Sequence, residues 1–476
     1  MVTMLRSLLL LSAALLACSL PLSAEVRLHP ALANHMVLQQ QHTTVIRGTA
    51  DPGEKVLVRC SWERRARSVK AAADGSWSVR TETPAGSYEP QWIEVRERNT
   101  VRLDDVLIGE VWLCAGQSNM EMPMRGFPSQ PVEGSLDEIA SSPKYEYLRL
   151  YDVTHACAET PQTECGGTWH RPSAEHVARF SAVGYLFGRR LTEALRMPVG
   201  IIVSSYGGSR IESWLNAGSM DRFDPKDYIA KADKPYRDPC KLFNAMIAPL
   251  TGCAIRGVVW LQGESNRRNA HVYAPMLTEL MGLWRREWKS PELPFIVCQI
   301  APCPYNGEGE LGAARLMEAQ FRAVKADAFA YMVGSSDIGA EKFIHYPKKA
   351  VVAQRAFVSA LANVYRFGGI PSAGPAMAEV SYRGSSAIVR FDHAERGLVP
   401  TDGEIDCFEL SGEDGIFHPA KARIGRKDRA TVEVECEAVP RPCAVRYAFS
   451  NWHRTNLYNC EGLPAYPFRT DSIRYE

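Results

Sequence analysis

Residues 110–120 read Glu110-Val111-Trp112-Leu113-Cys114-Ala115-Gly116-Gln117-Ser118-Asn119-Met120. The stretch up to Ala115 is a short, largely apolar run that stops at a glycine, as a strand buried on both faces does, and a polar serine-bearing loop comes at once after it. Similar runs come later: Val199-Gly200-Ile201-Ile202-Val203, Gly257-Val258-Val259-Trp260-Leu261, Phe295-Ile296-Val297-Cys298-Gln299-Ile300 and Phe329-Ala330-Tyr331-Met332-Val333. Amphipathic stretches lie between and after them, around 178–196, 272–288, 312–326 and 347–364. Strand–helix alternation on this rhythm predicts an α/β domain over 107–366, its parallel sheet covered on both faces.

On either side the rhythm changes. Residues 25–106 carry short alternating runs such as Lys55-Val56-Leu57-Val58-Arg59 and Trp77-Ser78-Val79-Arg80, broken by Asp51-Pro52-Gly53 and Asp74-Gly75. These are strand and turn signals, and a small β-sandwich is expected. Residues 370–476 return to such stretches, for example Ala387-Ile388-Val389-Arg390 and Thr431-Val432-Glu433-Val434-Glu435, and predict a second β module. Residues 1–24 have the pattern of a secretory signal: Arg6, an apolar core from Leu8 to Leu16, and the small-residue exit Leu22-Ser23-Ala24. The chain is therefore expected to be exported to the periplasm or the extracellular space. Lipoprotein processing at Cys18 is the second option. The apolar core is shorter than the ~20 residues of a span, and no later segment is long and apolar enough, so stable membrane insertion is not expected.

Charge is balanced, with 55 Lys+Arg against 54 Asp+Glu, which gives no general reason to expect a nucleic-acid partner. Twelve of the 13 cysteines come after the leader. In an oxidising compartment Cys157 with Cys165 and Cys436 with Cys443 are candidate disulfides, whereas Cys114 and Cys298 lie in strand runs and are expected as buried thiols. No C-x-x-C pair and no H-E-x-x-H occurs, so no dedicated metal site is expected.

In an open parallel sheet, ligands bind beyond the carboxyl ends of the strands. Here the strand ends lead into Gly116-Gln117-Ser118-Asn119, Tyr206-Gly207-Gly208-Ser209-Arg210, Gln262-Gly263-Glu264-Ser265-Asn266 and, last, Asp337 with Ile344-His345. A serine in a glycine-flanked loop is by default a turn residue, and a lone histidine a packed one. A serine, a histidine, a tight glycine turn and amides gathered at one sheet edge are the parts needed for acyl transfer. Ser118 is the expected nucleophile and His345 its base. The Ser118 N–H, the Gly208 N–H and the Gln262 side chain are the expected oxyanion donors, with Gly207 and Asn266 in reserve. Arg210 and Glu264 either brace the two loops as a buried pair or touch substrate, the brace being favoured; Asn266 is also a candidate substrate contact, and Trp214 either lines a sugar pocket or simply packs.

The chain resembles the sialate O-acetylesterases, a family within the SGNH hydrolases. Gly116-Gln117-Ser118-Asn119-Met120-Glu121 is similar to the family's nucleophile block. Gly207-Gly208-Ser209-Arg210-Ile211-Glu212-Ser213-Trp214 is similar to its second block, and Trp260-Leu261-Gln262-Gly263-Glu264-Ser265-Asn266 to its third. Met36-Val37-Leu38-Gln39, Asn456-Leu457-Tyr458-Asn459, Gly462-Leu463-Pro464 and Pro467-Phe468-Arg469-Thr470-Asp471 extend the likeness over nearly the whole chain. The resemblance implies a flavodoxin-like catalytic domain, no metal cofactor, and removal of acetyl groups from sugars such as sialic acid. The last block departs from the pattern: the acid usual three residues before the histidine is replaced by Lys342, and Tyr346 is inserted before Pro347. Asp337 is the expected group orienting His345. Glu341 is its alternative, and a Ser-His pair without a carboxylate is a third arrangement.

No G-x-S-x-G occurs, against an α/β-hydrolase elbow. Two rival functions stand: an acetylesterase for xylan, pectin or another acetylated glycan, and a non-catalytic glycan-binding protein with a degenerate hydrolase core.

Overall fold

Strand β1, Thr100–Gly116, is 17 residues long and belongs to two regions at once. Its first half pairs antiparallel with the N-terminal strand Ser87–Arg96, and its second half pairs parallel with the two central neighbours of the catalytic sheet. The boundary expected at 106/107 therefore falls inside one continuous strand, and no linker separates the regions. Burial records the change of duty: exposed and buried residues alternate at the start of β1, and every residue from Val106 to Gly116 is buried. The computed structural model describes residues 25–228, 231–305 and 311–472. The expected leader at 1–24, with Cys18, lies outside the described residues.

After β1 come the short helix α1 (Ser118–Glu121), β2 (Leu148–Asp152), β3 (Trp169–His170), α2 (Ala182–Leu195) and β4 (Val199–Ser205). Next are β5 (Gly257–Leu261), α3 (Ala270–Glu287), β6 (Phe295–Cys298), α4 (Gly312–Lys325), β7 (Ala330–Val333) and α5 (Lys349–Ser359). The sheet order is β3-β2-β4-β1-β5-β6-β7, parallel except for β3. The fold is mixed α/β with a mixed sheet. Two apolar clusters flank the sheet: Trp260, Leu280, Trp284 and Leu316 belong to one, Cys114, Phe187, Ile201 and Val352 to the other. The chain leaves β1 in opposite lateral directions towards β4 and β5, so the carboxyl end of β1 lies where a crevice opens.

In the N-terminal region, Lys55–Cys60 and Ser76–Glu82 alternate strictly between exposed and buried residues, the signature of strands with one wet face. In the C-terminal region two four-stranded antiparallel sheets share a core that includes Val389, Leu410, Val432, Tyr447 and Phe468. This region also braces the catalytic domain, for Tyr466 Oη donates to the Met332 carbonyl (3.1 Å) and Ser336 Oγ to that of Ala465 (3.1 Å).

The twelve described cysteines are all free thiols, so neither candidate disulfide is formed. Cys157 is exposed whereas Cys165 is buried, and of the other pair only Cys443 is fully exposed. Cys114 and Cys298 are buried in β1 and β6, as their apolar context implies.

Candidate active site

Gly116 ends β1 with φ of 144°, and a Cβ at that position would lie 2.0 Å from the Leu261 carbonyl oxygen on β5. Only glycine lets the chain turn out of the sheet that close to its neighbour. Ser118 then opens α1, so its N–H is one of the donors that a helix leaves without an internal partner. Gln117 ties this turn to the loop after β5: its Oε1 accepts from the N–H groups of Gly263 (3.1 Å) and Ser265 (3.4 Å).

The loop after β4 brings Gly208 to the same place, with φ of 75° and its carbonyl held by Arg237 Nε at 3.2 Å. Among the described residues the Gly208 N–H has no hydrogen-bond partner. The Gly207 N–H is directed at the Glu121 carboxylate, a group whose pKa is raised chiefly by burial.

His345 precedes α5 and faces Ser118 across one pocket of about 790 Å³, whose walls also include Gln117, Gly207, Gly208 and Tyr236. Asn119 Nδ2 donates to the Ile344 carbonyl at 3.2 Å, so the residue after the serine is bonded to the residue before the histidine. His345 Nδ1 lies 2.8 Å from Gln130 Oε1, and the Phe127 ring meets the imidazole edge-on at 4.9 Å. With a carbonyl oxygen as its partner, Nδ1 carries the proton and Nε2 keeps its lone pair. Burial first, and then the Lys349 charge, hold the pKa of His345 down at about 4. The ring is neutral at pH 7 and able to accept a proton.

Several expected assignments are corrected by this geometry. Asp337 does not orient His345: both its oxygens accept from Arg355 at 2.7 Å, and Oδ2 also accepts from Tyr458 Oη at 3.1 Å. Glu341 is exposed and sits 3.8 Å from Arg454. A neutral amide, Gln130, stands where a carboxylate was sought. Gln262 is fully buried behind the pocket wall, its amide nitrogen donating to Ser209 O (3.2 Å) and Asn266 Oδ1 (2.9 Å). It is a brace and does not face the pocket as an oxyanion donor. Asn266 is equally enclosed, donating to Glu212 (2.8 Å) and accepting from the Ile211 N–H (3.0 Å), so it does not touch substrate. Trp214 is buried against Trp260 and donates to Ser209 Oγ at 3.0 Å; it packs and does not line the pocket. Arg210 does reach the pocket, but Glu264 is not its partner: that carboxylate accepts from Asn119 Nδ2 at 2.5 Å.

Gln130, Tyr236, Arg237 and Lys349, at or behind the pocket, are marked by no motif in the sequence. Gln130 sits in an irregular loop with no periodic signal. Lys349 did carry one, since it shares the buried stripe of α5 with Val352, Ala353 and Ala356, at helical spacing. Among the described residues no group of three His, Cys, Asp or Glu side chains could hold a metal ion. A hydroxyl, a neutral imidazole and free backbone N–H groups around one crevice can carry out nucleophilic acyl transfer.

Residues 108–365 match the family model described as carbohydrate esterase, sialic acid-specific acetylesterase. A human sialate O-acetylesterase is 35% identical over 275 residues, covering 53% of this chain and 51% of that protein. The chain thus spans about half the length of the first curated relatives it matches. A mouse sialate O-acetylesterase is 28% identical over 512 residues, 91% of this chain and 92% of its own. The crystal structure of a carbohydrate acetylesterase from Xanthomonas citri superposes with a TM-score of 0.86 at 30% identity, covering 94% of this chain and 100% of that one.

Proposed function

The chain belongs to the carbohydrate esterase family of sialic acid-specific acetylesterases, and on that premise we propose that it is a sialate O-acetylesterase using Ser118 as nucleophile and His345 as general base. The observation that carries the reading is the shared pocket, which sets Ser118, Gly208 and His345 around one crevice at the carboxyl end of β1. The Ser118 hydroxyl attacks the acetyl carbonyl while His345 Nε2 takes its proton. The oxyanion is held by the N–H groups of Ser118 and Gly208, each such donor contributing roughly 3 kcal/mol to the barrier reduction. The tetrahedral intermediate expels the sugar hydroxyl, which receives the proton from His345. Water, activated by the same imidazole, then releases acetate and regenerates Ser118. Gln130 keeps the tautomer that this sequence of transfers needs.

Strand order supports an SGNH-type, flavodoxin-like core: β4-β1-β5-β6-β7 is the doubly wound order 2-1-3-4-5. Arg210 lines the pocket, and its Nη1 has no hydrogen-bond partner among the described residues, so it offers an acidic sugar a cationic contact that neutral xylan would not use. Export to the periplasm or beyond is part of the proposal and rests on the pattern of residues 1–24. Among the described residues no helix is long and apolar enough to cross a membrane.

The test is acetate release from 9-O-acetylated sialic acid compared with acetylated xylan. Faster turnover of the sialic acid is expected, and a preference for xylan would move the assignment to a neutral glycan. Equal hydrolysis of 4-nitrophenyl acetate by wild type and S118A would remove the enzyme reading altogether.

A further inference from the structure

A buried lysine lies directly behind the site. Lys349 is fully enclosed, its Nζ donates to Asn119 Oδ1 at 2.5 Å, and it sits 3.8 Å from the centroid of the Tyr346 ring. Asn119 is itself 1% exposed and gives its amide to both Glu264 Oε1 and the Ile344 carbonyl. The second Glu264 oxygen is buried without a hydrogen-bond partner, so the carboxylate offers uncompensated negative charge to the ammonium. One amide side chain thereby joins the nucleophile turn, the loop after β5 and the histidine loop, with a cation and an anion on its two ends.

We propose that Lys349 is a positioning residue that fixes the spacing between Ser118 and His345 through Asn119, with Glu264 as its counter-charge. The inference rests on the reading that Ser118 and His345 react. A buried ammonium is tolerated only with a partner, and breaking such a pair leaves the other charge stranded. Here the bridge through Asn119 joins the loops that carry Ser118 and His345. The groups around Lys349 are Glu264, His345 and the Tyr346 ring, and Tyr346 in turn feels Cys298, Glu264 and the Arg355 charge. Tyr346 and Cys298 are held neutral by burial, so the response near neutrality belongs to Lys349, with Glu264 as its negative partner. Burial lowers the Lys349 pKa to about 7, with Glu264 pulling the other way. Its charge is therefore present in acid, where it keeps His345 unprotonated, and is lost as the pH rises through neutrality.

The experiment is the pH profile of kcat and kcat/KM for wild type, K349M and K349Q, with 4-nitrophenyl acetate and an acetylated sialic acid. The wild type is expected to lose activity only near pH 4 and to gain rate as pH passes about 7, where the imidazolium becomes easier to form. K349M is expected to lower kcat roughly tenfold to hundredfold with KM changed less than about threefold, because misplacement acts on the transition state. Its acid limb should rise towards, without reaching, the ordinary histidine value of 6.5, since burial of the ring persists. K349Q keeps a donor for Asn119 without the charge, and should recover most of kcat while retaining the raised limb. An unchanged kcat and acid limb in folded K349M overturns the proposal. So does a wild-type profile with a single limb near 6.5, which needs no variant to fold. Wild-type turnover by S118A would instead sink the nucleophile assignment, a result that no Lys349 variant can imitate.

Discussion

Gln130 faces His345 Nδ1 as an uncharged acceptor at 2.8 Å, whereas the charged acid nearby, Asp337, is bound to Arg355. An amide oxygen selects the tautomer as well as a carboxylate does, but it adds no charge to stabilise the imidazolium that forms during attack. Q130A is expected to lower kcat by roughly tenfold to hundredfold, through loss of ring orientation. Q130E should instead raise the His345 pKa and move the acid limb of kcat/KM upward; a profile that stays in place would show that the contact does not exist in solution. Asp337 gives the opposite expectation. The Asp337–Arg355 pair is largely buried, and D337N should destabilise the fold by about 3 kcal/mol, seen as a lower Tm, with little change in kcat of the folded fraction. Ser118 and His345 were legible as candidates because each comes after a strand end within a recognisable block. The orienting group was not, because a loop glutamine held by tertiary packing carries no sequence period, and because Asp337 looked right by motif position alone.

At the scale of elements, the strands β1, β4, β5, β6 and β7 were readable as apolar runs, since both faces of a helix-covered sheet are dry. The double service of β1 was not. Residues 100–105 alternate and read as part of the N-terminal region, and nothing local says that the same strand continues unbroken into the next sheet. The loops that build the site depend on backbone shape more than on side chains. Gly208 holds φ of 75°, where a Cβ is strained by roughly 1 kcal/mol, a cost the fold can absorb. G208A is therefore expected to melt close to wild type while kcat falls about a hundredfold, because the N–H no longer points at the oxyanion. Fluorophosphonate labelling of Ser118 would report the same loss, and an unaltered labelling rate would remove Gly208 from the oxyanion site. The missed Lys349 belongs to this scale too: a charge at the start of a helix is read as solvated unless its position on the apolar stripe is checked.

Over the whole molecule, acid sensitivity arises from buried histidines. His29 in the N-terminal region and His453 in the C-terminal region are 2% and 7% exposed, and burial lowers each pKa from 6.5 to about 4. Because the unfolded chain binds protons that these rings refuse when folded, stability is complete above pH 6.5 and is lost as pH falls towards 4, by about 3 kcal/mol for each ring. Asp152, raised by burial to about 6, works in the opposite sense and tempers the loss. A Tm that holds steady or rises between pH 6.5 and 4.5 would contradict this balance. Domain class and the β modules were legible from patterning, whereas the bracing of Asp337 by Tyr458 and of β7 by Tyr466 was not, since such contacts cross more than a hundred residues of sequence. The mechanism depends most on Ser118 forming a covalent bond to the acetyl group. Rapid quenching of the enzyme with an acetyl ester, and then peptide mass spectrometry, tests that step. One acetyl group on the peptide bearing Ser118, absent in S118A, is the predicted result, and acetate release with no acetylation of that peptide would contradict it.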